Sequence, residues 1–241
     1  MALAIAFALA CLAAGSAAAP RAQLTVYAAA SLTDVFPQID RSPRYSFGGS
    51  NTLAAQIRQG APADVFASAN LGLPAALHAD GLCTKPTVFT RNALVLVVPK
   101  ANQARIRSVY DLARSGVKLV IAGAGVPVGG YTRQILRNMN LSATVLRNVV
   151  SQETDVREVL AKVALGEADA GFVYSTDART VSGKVRSIRI PAWAQPKLRY
   201  GICLVTAGAG KAAGRAFIRK VLSKSGQRKL RAAGFLPRVE R

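Results

Sequence analysis

Acidic residues are scarce in this chain: 12 Asp and Glu stand against 32 Lys and Arg, a formal net charge of +20 over 241 residues. Histidine and tryptophan occur once each, methionine twice, and aromatics make up only 6%. HExxH, GxSxG and CxxC do not occur, so the common zinc-hydrolase, serine-hydrolase and thiol-redox arrangements have no foothold. The single histidine, His78, lies in a helix-compatible segment beside Asp80, where a surface role is expected. These gaps argue against an enzyme. The charge surplus fits attraction to anions, to an acidic surface or to nucleic acid.

The first nineteen residues, MALAIAFALACLAAGSAAA, carry no charge at all. An apolar run that ends in small residues reads as a secretory signal over residues 1–19, with an A-x-A cleavage site at Ala17–Ala19. A basic n-region is missing, and Ala8 occupies the place where a lipoprotein signal has Leu. Lipidation at Cys11 and retention as an anchor are the alternatives. The chain is therefore expected in the periplasm or at the outer face of the cytoplasmic membrane. Removing the signal leaves Cys83 and Cys203, which either pair or remain two separate buried thiols.

What the chain does have is organised around Lys118–Leu136, KLVIAGAGVPVGGYTRQIL. A short β-branched run leads into Gly123, Gly125, Pro127, Gly129 and Gly130, and helix-compatible residues follow. A strand, a glycine-rich turn and a helix start aim free N–H groups and a helix dipole at the contents of the turn. The turn has neither GxGxxG nor GK[ST], which argues against a dinucleotide or P-loop site.

The rest of the chain alternates strands with helices, as in an α/β fold with parallel sheets. Leu24–Ala29 opens as a strand, with Ser31 placed as a helix N-cap. Arg44–Phe47 precedes a Gly48–Asn51 turn and a helix over Thr52–Gln59, and Asp64–Ala67 is a brief strand. Asn92–Pro99 reads as one strand buried on both faces, and Ser108–Arg114 as a short helix. Leu141–Val150 reads as strand or loop, and Asp155–Leu165 as an amphipathic helix opened by a capping box of Asp155 with Glu158. Ala170–Tyr174, Ser187–Pro191 and Leu198–Thr206 are strands, and Gly210–Gly234 is one helical segment. The two long apolar strands, Asn92–Pro99 and Leu198–Thr206, bracket a middle segment. That pattern predicts two lobes joined by two crossing strands: residues 20–90 with 197–241, and residues 91–196.

Four helix starts can each offer N–H groups to an anion, at Ser31, Ser50, Val128 and Val156, and the two serines add hydroxyls. At this point the sequence resembles a known family. Ala28–Phe36 (AAASLTDVF), Gly60–Ala69 (GAPADVFASA), Val126–Leu136 (VPVGGYTRQIL), Asp155–Ala178 (DVREVLAKVALGEADAGFVYSTDA) and the tail Phe217–Pro237 look like the molybdate-binding proteins of molybdate ABC importers. The resemblance implies a two-lobed type II periplasmic-binding-protein fold, each lobe a mainly parallel sheet flanked by helices and joined by two hinge strands. It also implies a ligand set: Ser31 and Ser50 through hydroxyl and N–H, Val128 and Val156 through N–H, and Tyr174 through its phenol. The ligand would be molybdate or tungstate, the partner a membrane permease, and the protein a monomer without cofactor. Val128 departs from the family's usual alanine, Gly48–Gly49 replaces a serine-rich run, and the segment between Ser31 and Phe47 is short and carries Pro37 and Pro43.

Two other readings remain. The same fold could take sulfate, thiosulfate or another oxyanion. A secreted basic protein could instead bind acidic surfaces or nucleic acid through Lys211–Arg241, which has ten Lys and Arg against Glu240 alone. That segment carries no interleaved exposed aromatics and no nucleic-acid motif, so a solvated basic face is the expected reading and no nucleic-acid partner is expected.

Overall fold

The computed structural model of the protein describes residues 23–238. The expected signal segment, with Cys11, lies outside the described residues. From the start of this range, β1 (Thr25–Ala29) runs through a 3-10 turn at Ala30–Leu32 into α1 (Phe36–Ile39), then β2 (Arg44–Gly48), α2 (Ser50–Arg58), β3 (Val65–Ser68), α3 (Gly72–Ala79) and β4 (Thr87–Asn92). The chain then crosses into β5 (Leu94–Pro99), a 3-10 turn at Val109–Ala113, β6 (Leu119–Ala122), α4 (Pro127–Asn138) and α5 (Ser142–Leu146). β7 (Val149–Glu153), α6 (Val156–Ala164), β8 (Ala170–Tyr174), α7 (Ser175–Thr180) and β9 (Val185–Arg189) complete that half. It returns through β10 (Leu198–Leu204) to α8 (Lys211–Leu222) and α9 (Lys224–Ala232).

These strands form two five-stranded sheets with one shared pattern, β2-β1-β3-β10-β4 and β7-β6-β8-β5-β9. In each, the first three strands pair in parallel, and β10 or β5 lies antiparallel between its neighbours. Four strands of each sheet therefore run one way and a single strand runs against them. Every residue of β3, β6 and β8 is buried, as strands covered on both faces require. Helix α6 buries Val156, Val159, Leu160 and Val163, and each such side chain contributes about 1.5–3 kcal/mol. Close packing of α6 on β8 needs Gly171, where a β-carbon would lie 2.8 Å from Val159 Cγ1.

Several elements differ from the sequence expectation. Asn92 ends β4, and Leu94 begins a strand of the other sheet, because the Asn92 side chain takes the Ala93 N–H at 2.9 Å where the chain changes sheets. A single apolar run conceals that change. Leu141–Val150 contains the one-turn α5 before β7 starts at Val149. The C-terminal segment is two helices, since Ser223 caps α9 by accepting the Gly226 N–H. Ser31 is not an N-cap: it lies inside the 3-10 turn, and its hydroxyl meets Tyr200. The capping at α6 is staggered, with Asp155 accepting from Arg157 and Glu158 while Glu158 reaches the Thr154 N–H and hydroxyl.

Cys83 and Cys203 are joined by a disulfide, with Cα atoms 6.0 Å apart. They sit in a small apolar cluster with Leu53, Ile57, Phe66 and Leu77 on the first sheet. His78 is structural, its Nδ1 lying 2.8 Å from the Cys83 carbonyl oxygen.

Candidate functional site

The loops that leave the carboxyl ends of the parallel strands meet between the two sheets, the position where open α/β sheets bind ligands. Ser31 follows β1, Ser50 follows β2, Val128 follows β6, Val156 follows β7, and Tyr174 ends β8. All five line one narrow cleft, together with Ala29, Ala30, Gly48, Gly49, Ala69, Val126, Pro127 and Asp155. Equivalent strands of the two sheets thus contribute equivalent corners. Ser31, Ser50, Val128, Val156 and Tyr174 are all buried.

Each corner presents a donor. Ser50 opens α2, and its Oγ accepts the Ala69 N–H at 3.1 Å, so its own proton is free for the cleft. At α4, Pro127 occupies the start of the first turn and has no N–H, which makes Val128 the first donor of that helix. At α6 the Asp155 carboxylate accepts from Arg157 at 2.6 Å and Glu158 at 3.1 Å. The cap spends the only lining acid on those two groups and leaves the Val156 N–H, which has no intrahelical acceptor, to the cleft. Three helix N-termini therefore bring positive dipole ends to one point.

Gly129 makes the α4 corner possible: a β-carbon there would lie 2.0 Å from the Gly123 carbonyl oxygen. Its neighbour Thr132 bonds back to the Val128 carbonyl at 2.8 Å. Tyr174 brings a phenol from the end of β8, and its buried hydroxyl has no hydrogen-bond partner among the described residues. Burial, then the neighbouring Tyr200, push this phenol well above the ordinary tyrosine range, so it stays a neutral donor.

No lysine or arginine lines the cleft. Arg157, next to Val156, turns away: its Nε lies 2.8 Å from Asp177 Oδ1, and its guanidinium also reaches Asp34. Asp34 belongs to the β1 half and Asp177 to α7, so Arg157 ties the two halves beside the cleft. Burial raises the Asp177 carboxyl to about 7, against the pull of Arg157. A cleft of hydroxyls and N–H groups without a cation can hold a dianion by hydrogen bonds alone, and avoids desolvating a lysine or arginine with it. Among the described residues no group of His, Cys, Asp and Glu could hold a metal cation, and no helix is long and apolar enough to cross a membrane.

The sequence did not single out Asn92, Arg157, Asp177 or Tyr200, and it marked Gly49 only as a turn residue in place of a serine-rich run. A phenol and a carboxamide within otherwise apolar strand sequences, LRYGICLVT and NALVLVVP, are the signals that mark Tyr200 and Asn92.

Comparison with known proteins identifies the family and the fold. The sequence pattern of the family described as bacterial extracellular solute-binding protein matches residues 24–236. A molybdate-binding protein of Mycobacterium bovis is 37% identical over 222 residues, covering 88% of this chain and 84% of the relative. A molybdate-binding protein of Haemophilus influenzae is 34% identical over 241 residues, covering 92% of each. Among solved structures, the periplasmic molybdate-binding protein of Azotobacter vinelandii superposes with a TM-score of 0.79 at 22% identity, over 91% of this chain and 100% of that one.

Proposed function

The chain belongs to the bacterial extracellular solute-binding protein family, and we propose that it captures molybdate or tungstate outside the cytoplasm and delivers it to the permease of an ABC importer. One observation carries the reading: three helix N-termini and two serine hydroxyls converge on a cleft that no cation lines. In this reading Ser31, Ser50, Val128, Val156 and Tyr174 donate to the four oxygens of one tetrahedral anion. The curated relatives named above, 37% and 34% identical to this chain over the aligned residues, are molybdate-binding proteins.

The mechanism is capture without bond making. Lobes formed by residues 20–90 with 197–241 and by residues 91–196 bend about the two crossovers, and the anion bridges donors from both. A donor-only cleft disfavours phosphate, which keeps a proton near neutral pH and needs an acceptor. A cleft sized for the longer Mo–O bond holds sulfate loosely. The positive field of the chain speeds arrival of the anion and adds no selectivity. The protein acts as a periplasmic or membrane-surface monomer.

A thermal-shift series on the mature protein with molybdate, tungstate, sulfate, thiosulfate and phosphate tests the proposal, because a ligand of the folded state raises Tm with its affinity. Stabilisation by molybdate and tungstate with little from sulfate supports it. Stabilisation by sulfate or thiosulfate instead moves the ligand, and no response from any anion overturns it.

A further inference from the structure

Tyr200 does not line the cleft, yet its hydroxyl lies 3.0 Å from Ser31 Oγ. The direction of the proton between them decides what Ser31 can do, and the neighbouring bonds fix it. Asn92 Oδ1 accepts the Ala93 N–H at 2.9 Å and the Ser175 hydroxyl at 3.1 Å. Its Nδ2 is therefore the end that faces Thr176 Oγ1, at 2.9 Å, and the Tyr200 oxygen, at 3.3 Å. An amide nitrogen only donates. The Tyr200 oxygen accepts from Asn92, and its own proton needs an acceptor.

Ser31 Oγ is that acceptor. Were Ser31 the donor instead, the Tyr200 proton could turn only toward the neighbouring Tyr174 hydroxyl, with which no well-formed hydrogen bond exists among the described residues. A poorly partnered proton on a fully buried side chain costs part of the desolvation of that group. Burial holds the Tyr200 phenol neutral, so the proton is present to be donated.

We infer that Tyr200, oriented by Asn92, is a positioning residue that turns the Ser31 hydroxyl into an obligate donor toward the cleft. Ser31 and Ser50 then match: each accepts one hydrogen bond, from Tyr200 or from the Ala69 N–H, and each has its own proton left to present to the anion. The relay starts at the crossover between the sheets, where Asn92 ends β4 and grips Ser175 and Thr176 of α7. The donor character of Ser31 is thereby tied to the relative position of the two lobes. The inference rests on the proposed oxyanion site and adds to it a residue that acts only through Ser31.

A double-mutant cycle by calorimetric titration tests it. Wild type is titrated first with molybdate, tungstate and sulfate, and the tightest-bound anion is used throughout. Tyr200→Phe keeps the ring contacts and is expected to weaken binding about tenfold. In a Ser31→Ala background the same change is expected to have no further effect, whereas in a Ser50→Ala background the full loss returns. Asn92→Ala provides a second arm, with a several-fold loss that again vanishes without the Ser31 hydroxyl. Unliganded melting curves identify any variant that has lost its fold, and the remaining arm then decides. Equal losses in the Ser31→Ala and Ser50→Ala backgrounds, or unchanged affinity in Tyr200→Phe, overturn the inference. Binding of sulfate rather than molybdate corrects the ligand and leaves the cycle valid, while a wild type that binds no oxyanion overturns both readings.

Discussion

Gly49 and Thr154 face each other across the cleft so closely that a β-carbon on residue 49 would lie 2.3 Å from the Thr154 carbonyl oxygen. Gly49 leads into α2 of one lobe and Thr154 into α6 of the other. The Gly49 backbone has φ −59°, a value open to any residue, so the glycine serves the approach of the lobes and not a turn.

Gly49→Ala is expected to hinder closure while sparing each lobe. An overpacking cost of about 1–3 kcal/mol in the closed form weakens anion binding roughly five- to 150-fold. Calorimetry reads the affinity, and the unliganded Tm should stay near that of wild type. A Gly49→Ala protein with wild-type affinity would show that the lobes do not close to this distance on the ligand.

Ser50→Ala removes one donor to the anion and the acceptor of the buried Ala69 N–H. A hydrogen bond to a charged group contributes about 1.5–3 kcal/mol, so affinity should fall roughly ten- to hundredfold. The unliganded protein should also lose about 1 kcal/mol from the stranded N–H. Denaturation with and without molybdate separates the two effects.

Asp177 makes stability depend on pH. Its carboxyl titrates at about 7 in the fold, above the value of about 3.9 for a free aspartate. A raised acid binds its proton more tightly in the native state, so its contribution is fully present below about pH 4. That contribution is lost as pH climbs through the folded value. Asp177→Asn should flatten this part of the profile. Melting at pH 5 and pH 8 checks it: wild type should lose more Tm between the two than the variant.

The disulfide lies in the first lobe, away from the cleft lining. Reduction, or replacement of both cysteines by serine, should lower stability by about 2–4 kcal/mol and leave anion affinity near wild type. Chemical denaturation and titration of the same samples read both.

The sequence displays the corners of the cleft better than what stands behind them. Ser50, Val128 and Val156 are legible because each sits where a strand or loop gives way to a helix, and first-turn N–H groups are a local property of chain order. Tyr174 comes only with the family resemblance, and Ser31, read from its local sequence as a helix N-cap, proves not to cap a helix. Tyr200 lies 169 residues from Ser31, and no periodicity encodes such a pairing. Asn92 hides at the start of an apolar run that looks continuous, because hydropathy registers burial and not which sheet buries the strand. Gly49 reads as an ordinary turn residue until Thr154 is placed against it. Arg157 reads as one more cation in a basic chain until Asp34 and Asp177 close around it.

The most direct test of the account is elemental analysis of the mature protein after equilibration with equal molybdate, tungstate, sulfate and phosphate, followed by removal of free anions. The account predicts close to one molybdenum plus tungsten per chain, with sulfur no higher than the protein's own cysteines and methionines supply and no phosphorus. Excess sulfur or bound phosphorus in place of molybdenum and tungsten, or a chain that retains no anion, would contradict it.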